Sequence, residues 1–193
     1  IMPSLVGSEM CIRDRKTTYL AELMHNKGKI VAWDIYEERL KQVEQNAKRL
    51  GIDIIQTEVH DATKLKEEYV EKFDKILLDV PCLGLGVIRR KPDIKWNRQE
   101  EDIKEISDIQ FNILKTCSKY LKKNGTLVYS TCSMLKEEND AIIEKFIKEE
   151  KFETVNIEEQ IPNEFSKITT NNMVQFLPSQ NHDGFFITML KKI

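Results

Sequence analysis

Two short segments hold the side chains with the most chemistry. Asp79-Val80-Pro81-Cys82 sets a carboxylate and a thiol on either side of a proline, and Ser130-Thr131-Cys132-Ser133 sets a second thiol among hydroxyls. A proline fixes the backbone as it leaves a strand, which aims Asp79 and Cys82 into any cleft beyond it. Gly84 and Gly86 follow at once and mark an irregular loop. The bland alternative for Cys82 is a small buried hydrophobe. Cys132 has polar neighbours at the approach to a helix, a setting that lowers a thiol pKa and makes a nucleophile. Cys117 lies on the apolar face of a helical pattern and reads as core.

Two further acids sit at matching places. Asp34 ends the apolar run Lys29-Ile30-Val31-Ala32-Trp33. An acid there is suited to accept hydrogen bonds from ribose hydroxyls, and equally to cap the helix that follows. Asp61, about one unit further on, is placed to receive an adenine amino group; taken alone it reads more readily as a solvated loop acid. Arg89, Arg90, Lys91, Lys95 and Arg98 set five positive charges against Asp93 within ten residues, with Trp96 among them. Cations interleaved with an aromatic suit phosphate contact and base stacking. The alternative is a solvated loop that Trp96 anchors, with the arginines braced by acids such as Asp93.

The elements that must position these residues alternate in type. Tyr36, Leu40, Val43, Ala47 and Leu50 recur at spacings of 4, 3, 4 and 3, one face of a helix that Gly51 can close. Strands are expected over Lys29–Asp34, Asp53–Val59, Lys75–Val80, Thr126–Ser130 and Phe152–Ile157, with a last one over Phe185–Leu190. Helices are expected from Ile103 to Leu121 and from near Leu135 to Ile147, and Asn124-Gly125 reads as a turn. Strands separated by helices give an α/β fold, a mostly parallel sheet with helices on both faces. Ligands bind beyond the carboxyl ends of such strands. Asp34, Asp61, Asp79, Cys82 and Cys132 all fall on that rim. Residues 1–15 contain no strand followed by a glycine-rich turn. They read as a non-native, artefactual leader, so the domain is expected to span 16–193, truncated at its N-terminus and without its first strand.

Composition narrows the classes. A length of 193 residues with 40% apolar residues suits one domain with a sizeable core. Thirty Lys+Arg against 32 Asp+Glu give a net charge of −2, which excludes nucleic-acid binding by overall charge but leaves room for a local basic patch. No apolar run approaches the roughly 20 residues that span a bilayer, and no segment reads as a secretory signal. Cys11, Cys82, Cys117 and Cys132 form no CxxC pair, and His25, His60 and His182 do not cluster with them. Neither a zinc site nor a disulfide scaffold is expected. The chain reads as a cytoplasmic protein with reduced thiols, no metal and no membrane partner.

Longer stretches carry a resemblance. Asp79-Val80-Pro81-Cys82, the run Gly86-Val87-Ile88-Arg89-Arg90-Lys91-Pro92-Asp93-Ile94-Lys95-Trp96, the run Tyr129-Ser130-Thr131-Cys132-Ser133-Met134-Leu135-Lys136-Glu137-Glu138-Asn139, and Asp183-Gly184-Phe185-Phe186 resemble motifs of the RNA cytosine-5 methyltransferases. The branch is the bacterial one acting on 16S rRNA, the RsmB/Sun family, and the resemblance runs from Lys16 to the C-terminus. It implies a Rossmann-like methyltransferase, S-adenosylmethionine as methyl donor and small-subunit rRNA as partner, with the chain acting as a monomer. It implies that Cys132 adds to carbon-6 of cytosine, that Cys82 assists release of the product, and that Asp79 bonds the cytosine ring edge near the cofactor. Asp34 matches the ribose-binding acid and Asp61 the acid near adenine. Lys16-Thr17 matches the end of the family's Pro-Gly-Gly-Lys-Thr loop and puts Lys16 at the cofactor, but Asp14-Arg15 stands where the glycines belong. Two rival readings are an inactive fragment serving as an RNA-binding module and an amino-group methyltransferase. The latter class normally has an aromatic where Cys82 stands.

Overall fold

The structure, a computed structural model, describes residues 3–7, 13–162, 165 and 167–193, with side chains from Lys16 onward. Its elements run β1 (Pro3–Gly7), α1 (Arg13–Leu23), β2 (Ile30–Asp34), α2 (Glu37–Leu50), β3 (Ile55–Val59), β4 (Phe73–Asp79), α3 (Ile94–Asn97), α4 (Glu101–Ser118), β5 (Leu121–Thr131), α5 (Asp140–Glu149), β6 (Phe152–Val155), β7 (Lys167–Thr170), β8 (Met173–Phe176) and β9 (Phe185–Lys192). All five residues of β2 are buried, as expected of an inner parallel strand covered on both faces. On α2 the inward stripe is Leu40, Val43 and Ala47, and Gly51 closes the helix at φ 68°, a left-handed conformation that a side chain disfavours.

The sheet order is β3-β2-β1-β4-β5-β9-β8-β7, with β6 pairing β9. The first five strands are parallel, and β9 joins β5 antiparallel. The chain steps outward from β1 to β2 to β3 through α1 and α2. It then crosses back to β4 and steps the other way to β5 through α3 and α4. Right-handed crossovers in opposite directions place the two helix sets on opposite faces. The order reverses between β1 and β4, where Gly7 pairs with Asp79. Crevices at such a reversal are the usual ligand sites of open α/β sheets. Beneath it Trp33, Tyr69, Phe73 and Tyr120 form an aromatic cluster, Trp33 meeting each of the other rings edge-on.

Several sequence expectations need correction. The first-strand place is filled: Pro3–Gly7 lies between β2 and β4, hydrogen-bonded in parallel to both. Asn124-Gly125 does not separate two elements. It lies inside β5, where Asn124 takes φ 63° and the register shifts between Phe73↔Leu121 and Lys75↔Thr126, an irregularity in which β5 advances five residues against two on β4. Leu121 therefore begins a strand rather than ending a helix. The β7–β8 hairpin went unexpected; Asn171 and Asn172 turn it, both at positive φ, as a tight two-residue turn requires.

Candidate active site

Strands β4 and β5 run side by side, with Asp79 opposite Ser130. Each then leads into a cysteine loop. Pro81 leads the first loop away from the ladder, and Gly84, at φ 77°, turns it back. Gly86 donates its N–H to the Cys132 carbonyl at 2.9 Å, and Gly184 donates to the Gly86 carbonyl at 2.8 Å. A Cβ on Gly86 would lie 2.2 Å from the Gly184 oxygen and 2.8 Å from that of Cys132, so this close three-way approach requires glycine.

The two loops bring Cys82 Sγ to 2.8 Å from Cys132 Sγ, and both thiols are free and half-buried. Hydrogen bonding between them makes the pair unequal. Cys132 is lowered, first by its hydrogen bond with Cys82, against burial and the charges of Asp79 and Glu138. Cys82 is raised well above the ordinary thiol value, first by its bond to Cys132 and then by burial. The contact thus shifts the two thiols in opposite directions, Cys132 down and Cys82 up. The sequence pointed to polar neighbours at a helix approach; the largest cause is instead the second cysteine. Cys117 is fully buried, and burial alone pushes its thiol up, in keeping with a core role.

Beneath the sulfurs lies a polar lattice that the sequence did not single out. Glu138 is completely buried. Its Oε1 accepts from the Leu83 N–H at 2.9 Å and from Gln110 Nε2 at 2.9 Å, and its Oε2 accepts from the Ser133 hydroxyl. Gln110, projecting from α4, also donates to the Pro81 carbonyl at 2.7 Å. Tyr129 donates to the Glu138 carbonyl at 2.8 Å. Asn139 accepts from Thr131 Oγ1 at 2.6 Å and donates to the Ser133 carbonyl and to Gln175.

The remaining expected site residues fall into three groups. Asp79 Oδ2 meets Lys16 Nζ at 2.6 Å, and Ser130 donates to Asp79 Oδ1 at 3.3 Å. Lys16 also lies 5.3 Å from the Phe185 ring. Asp34, 6% exposed, accepts the Tyr36 N–H at 2.8 Å and faces Arg39 at 3.4 Å. Asp61 accepts from the N–H and hydroxyl of Thr63 at 3.0 and 2.6 Å and pairs with Lys64 at 3.3 Å. The Thr63 hydroxyl is the chief cause that holds the Asp61 carboxyl below its ordinary value.

In the basic segment, Arg89 and Arg90 both turn to Asp183, Arg89 at 3.8 Å and Arg90 in direct contact, and Arg89 also donates to the Gln180 carbonyl. The bracing acid is Asp183 rather than Asp93. Lys91, Lys95, Trp96 and Arg98 are exposed, and Lys95 Nζ stands 5.3 Å from the Trp96 ring. Among the described residues, no group of three or more His, Cys, Asp or Glu is arranged to hold a metal, and no helix is long and apolar enough to cross a membrane.

Comparison with known proteins gives the family. The model of the 16S rRNA methyltransferase RsmB/F family matches residues 10–191. The chain belongs to this family. It is 41% identical over 182 residues to the ribosomal RNA small subunit methyltransferase B of Photorhabdus laumondii, covering 92% of this chain and 39% of that protein. It is 40% identical over 185 residues to the protein of the same name from Pasteurella multocida, covering 92% and 40%. The chain thus spans about two-fifths of the length of these relatives. Among solved structures, NSun6 from Pyrococcus horikoshii with SFG superposes with a TM-score of 0.83 at 32% identity, covering all of this chain and 47% of that one. A methyltransferase homologue from the same organism gives 0.80 at 31%, covering all of this chain and 61% of that one. The RsmB/F family is one of S-adenosylmethionine-dependent methyltransferases with a Rossmann-like fold, and this sheet is of that kind.

Proposed function

We propose that this chain is the catalytic part of an rRNA cytosine-5 methyltransferase and works through a covalent adduct of Cys132 with the base. The observation that carries the reading is the 2.8 Å approach of Cys82 and Cys132 at the carboxyl rim, a contact that lowers the Cys132 thiol and raises that of Cys82. An amino-group methyltransferase has no use for that second thiol.

The residues at the rim suit S-adenosylmethionine. Asp34 is a nearly buried carboxylate at the end of β2, and Ile35 and Tyr36 beside it expose half their surface, an apolar flank beside a hydrogen-bonding acid. The Lys16–Asp79 pair presents both signs of charge near the sheet's switch point, complementary to an ammonium and a carboxylate on one ligand. In this reading Asp34 and Asp61 hold the adenosine half, and Lys16 and Asp79 face the amino-acid half. S-adenosylmethionine supplies the methyl group.

Carbon-5 of cytosine is too weak a nucleophile to take a methyl group unaided. The Cys132 thiolate adds to carbon-6, and the displaced electron pair makes carbon-5 enamine-like. Asp79 holds the ring edge. After transfer a base takes the carbon-5 proton and the carbon-6–sulfur bond breaks, with Cys82 assisting release. The RNA approaches over the basic segment. Arg89 and Arg90 are engaged by Asp183 in the folded protein, so the phosphate-facing charge rests chiefly on Lys91, Lys95 and Arg98.

The test uses the two cysteine variants with small-subunit rRNA and S-adenosylmethionine. Cys132→Ala yields no 5-methylcytosine and no adduct. Cys82→Ala accumulates a protein–RNA adduct that survives denaturing electrophoresis and maps to Cys132. Retained methylation in Cys132→Ala, or an adduct through Cys82, overturns the assignment.

A further inference from the structure

The two cysteine loops come from different crossovers, and something must hold their sulfurs in contact. The β4–β5 ladder pairs the chain as far as Asp79 and Ser130, and past it Gly86, four residues beyond Cys82, bonds the Cys132 carbonyl. Immediately beside the sulfurs, the residue after each cysteine is in addition tied to one carboxylate. Leu83, after Cys82, donates its N–H to Glu138 Oε1, and Ser133, after Cys132, donates its hydroxyl to Glu138 Oε2. Gln110 ties the same carboxylate to the Pro81 carbonyl, so the Cys82 loop is held on both sides of its sulfur. Gln110 spends both these bonds through its nitrogen and leaves its own Oε1 buried without a partner, a cost the lattice accepts.

We propose that Glu138 is the positioning residue of the cysteine pair: it locks the residue after Cys82 to the residue after Cys132 and thereby sets the sulfur–sulfur contact. The proposal rests on the reading of Cys132 as nucleophile for its importance, but not for its test. A carboxylate is suited to the task because its two oxygens are rigidly spaced acceptors that serve a different loop each. Its charge works against the thiolate, raising both cysteines. Glu138 therefore has two separable effects, geometry that favours the Cys132 thiolate through Cys82 and charge that opposes it. The groups facing Cys132 are Cys82, Asp79 and Glu138, so Asp79 is left unchanged throughout the test.

The experiment measures the pH midpoint of Cys132 alkylation by iodoacetamide, resolved by peptide mass spectrometry on the whole chain without RNA or cofactor. With Glu138 intact, Cys82→Ala raises this midpoint, because the hydrogen bond that lowers Cys132 is gone. Glu138→Gln keeps an oxygen for the Leu83 N–H and an amide facing Ser133, but removes the charge. Its midpoint falls, because the charge that opposes the thiolate is gone, and Cys82→Ala still raises it. Glu138→Ala removes the tie, and in the protein that still melts cooperatively the Cys132 midpoint no longer responds to Cys82→Ala. Should Glu138→Ala fail to fold, Ser133→Ala cuts the tie at one end and at least halves the response. The proposal is overturned if Cys82→Ala shifts Cys132 equally with and without the Glu138 tie, or if Glu138→Gln loses the response that Glu138→Ala also loses. A purely structural Glu138 lowers the melting temperature and leaves the response intact. Absence of methylation in every variant would count against the catalytic reading alone, since alkylation is read independently.

Discussion

The two ends of the carboxyl rim are built by opposite means. On the β2–β3 side each acid organises the chain right beside it. Asp34 caps the N–H two residues on, and Asp61 does the same to Thr63. On the β4–β5 side the contacts join distant segments: Cys82 to Cys132 across 50 positions, Glu138 to Leu83 across 55 and to Gln110 across 28. The first arrangement includes short-range caps that each loop makes with its own backbone. The second exists only when the whole sheet and α4 are in place. The sulfur contact is thereby coupled to the assembly of the sheet and α4, whereas the caps at Tyr36 and Thr63 are made within two residues of their acids.

The sharpest way to break this contrast is to empty the long-range side. Glu138→Leu leaves the Leu83 N–H, the Ser133 hydroxyl and the Gln110 amide without their acceptor in a buried place. At about 1–3 kcal/mol for each orphaned group, the substitution should remove roughly 3 kcal/mol or more of stability. Chemical denaturation with an unchanged slope checks it. A loss below about 1 kcal/mol would mean that the lattice is loosely held and the contrast is false.

Asp34→Ala should act in the other way. Its loss removes a charge-assisted acceptor from the proposed cofactor edge and weakens S-adenosylmethionine binding by about 1–3 kcal/mol. Because the cap it makes is local, Cys132 alkylation should be untouched. Calorimetry reads the affinity, and unchanged affinity rejects the role.

The basic segment supplies a smaller and more selective effect. Each phosphate contact with single-stranded RNA contributes about 0.7 to the slope of log affinity against log salt. Lys91→Ala, Lys95→Ala and Arg98→Ala together should lower that slope by up to about 2. Arg89→Ala with Arg90→Ala should instead lower the melting temperature and change the slope little, because Asp183 already holds both side chains. A slope loss from the arginine pair equal to that from the other three would restore all five to direct RNA contact.

What was legible in the sequence follows the same division. The alternation of strands and helices, the acids at strand ends and the two cysteine motifs are local signals, and the structure sets those residues at the carboxyl ends of the strands. Gly51 as a helix end and the burial of Cys117 were readable for the same reason. Glu138 was not, since it sits between Glu137, which is exposed, and Asn139, which is buried, and adjacency cannot say which acid faces inward. Only Tyr129, Gln110 and the two loops decide that. Asp183 was quoted within a motif but its partners lie in another segment altogether. The β7–β8 hairpin had a usable signal in Asn171-Asn172, but its flanking strands are short and only partly apolar. The irregularity at Asn124 imitated a turn because both need a residue at positive φ.

The faintest effect belongs to Asp61, and it tests whether the β3 side is as self-contained as its contacts suggest. The folded carboxyl is held below its ordinary value, first by the Thr63 hydroxyl and with Lys64 as a lesser cause. A depressed folded pKa contributes stability that is fully present above the unfolded value and disappears as pH falls through the folded one. Asp61→Asn keeps an acceptor for the Thr63 N–H and hydroxyl while removing the charge, so the difference between the two proteins isolates the ionised form. That difference should be small at neutral pH, because the pair with Lys64 is largely exposed and screened. It should shrink toward zero as pH falls below the ordinary carboxylate range. High salt should remove only part of it, since the chief cause is a hydrogen bond rather than a distant charge. The alkylation midpoint of Cys132 should not move at all. If it moves, the two sides of the rim communicate, and the local cap is part of the same lattice that Glu138 organises.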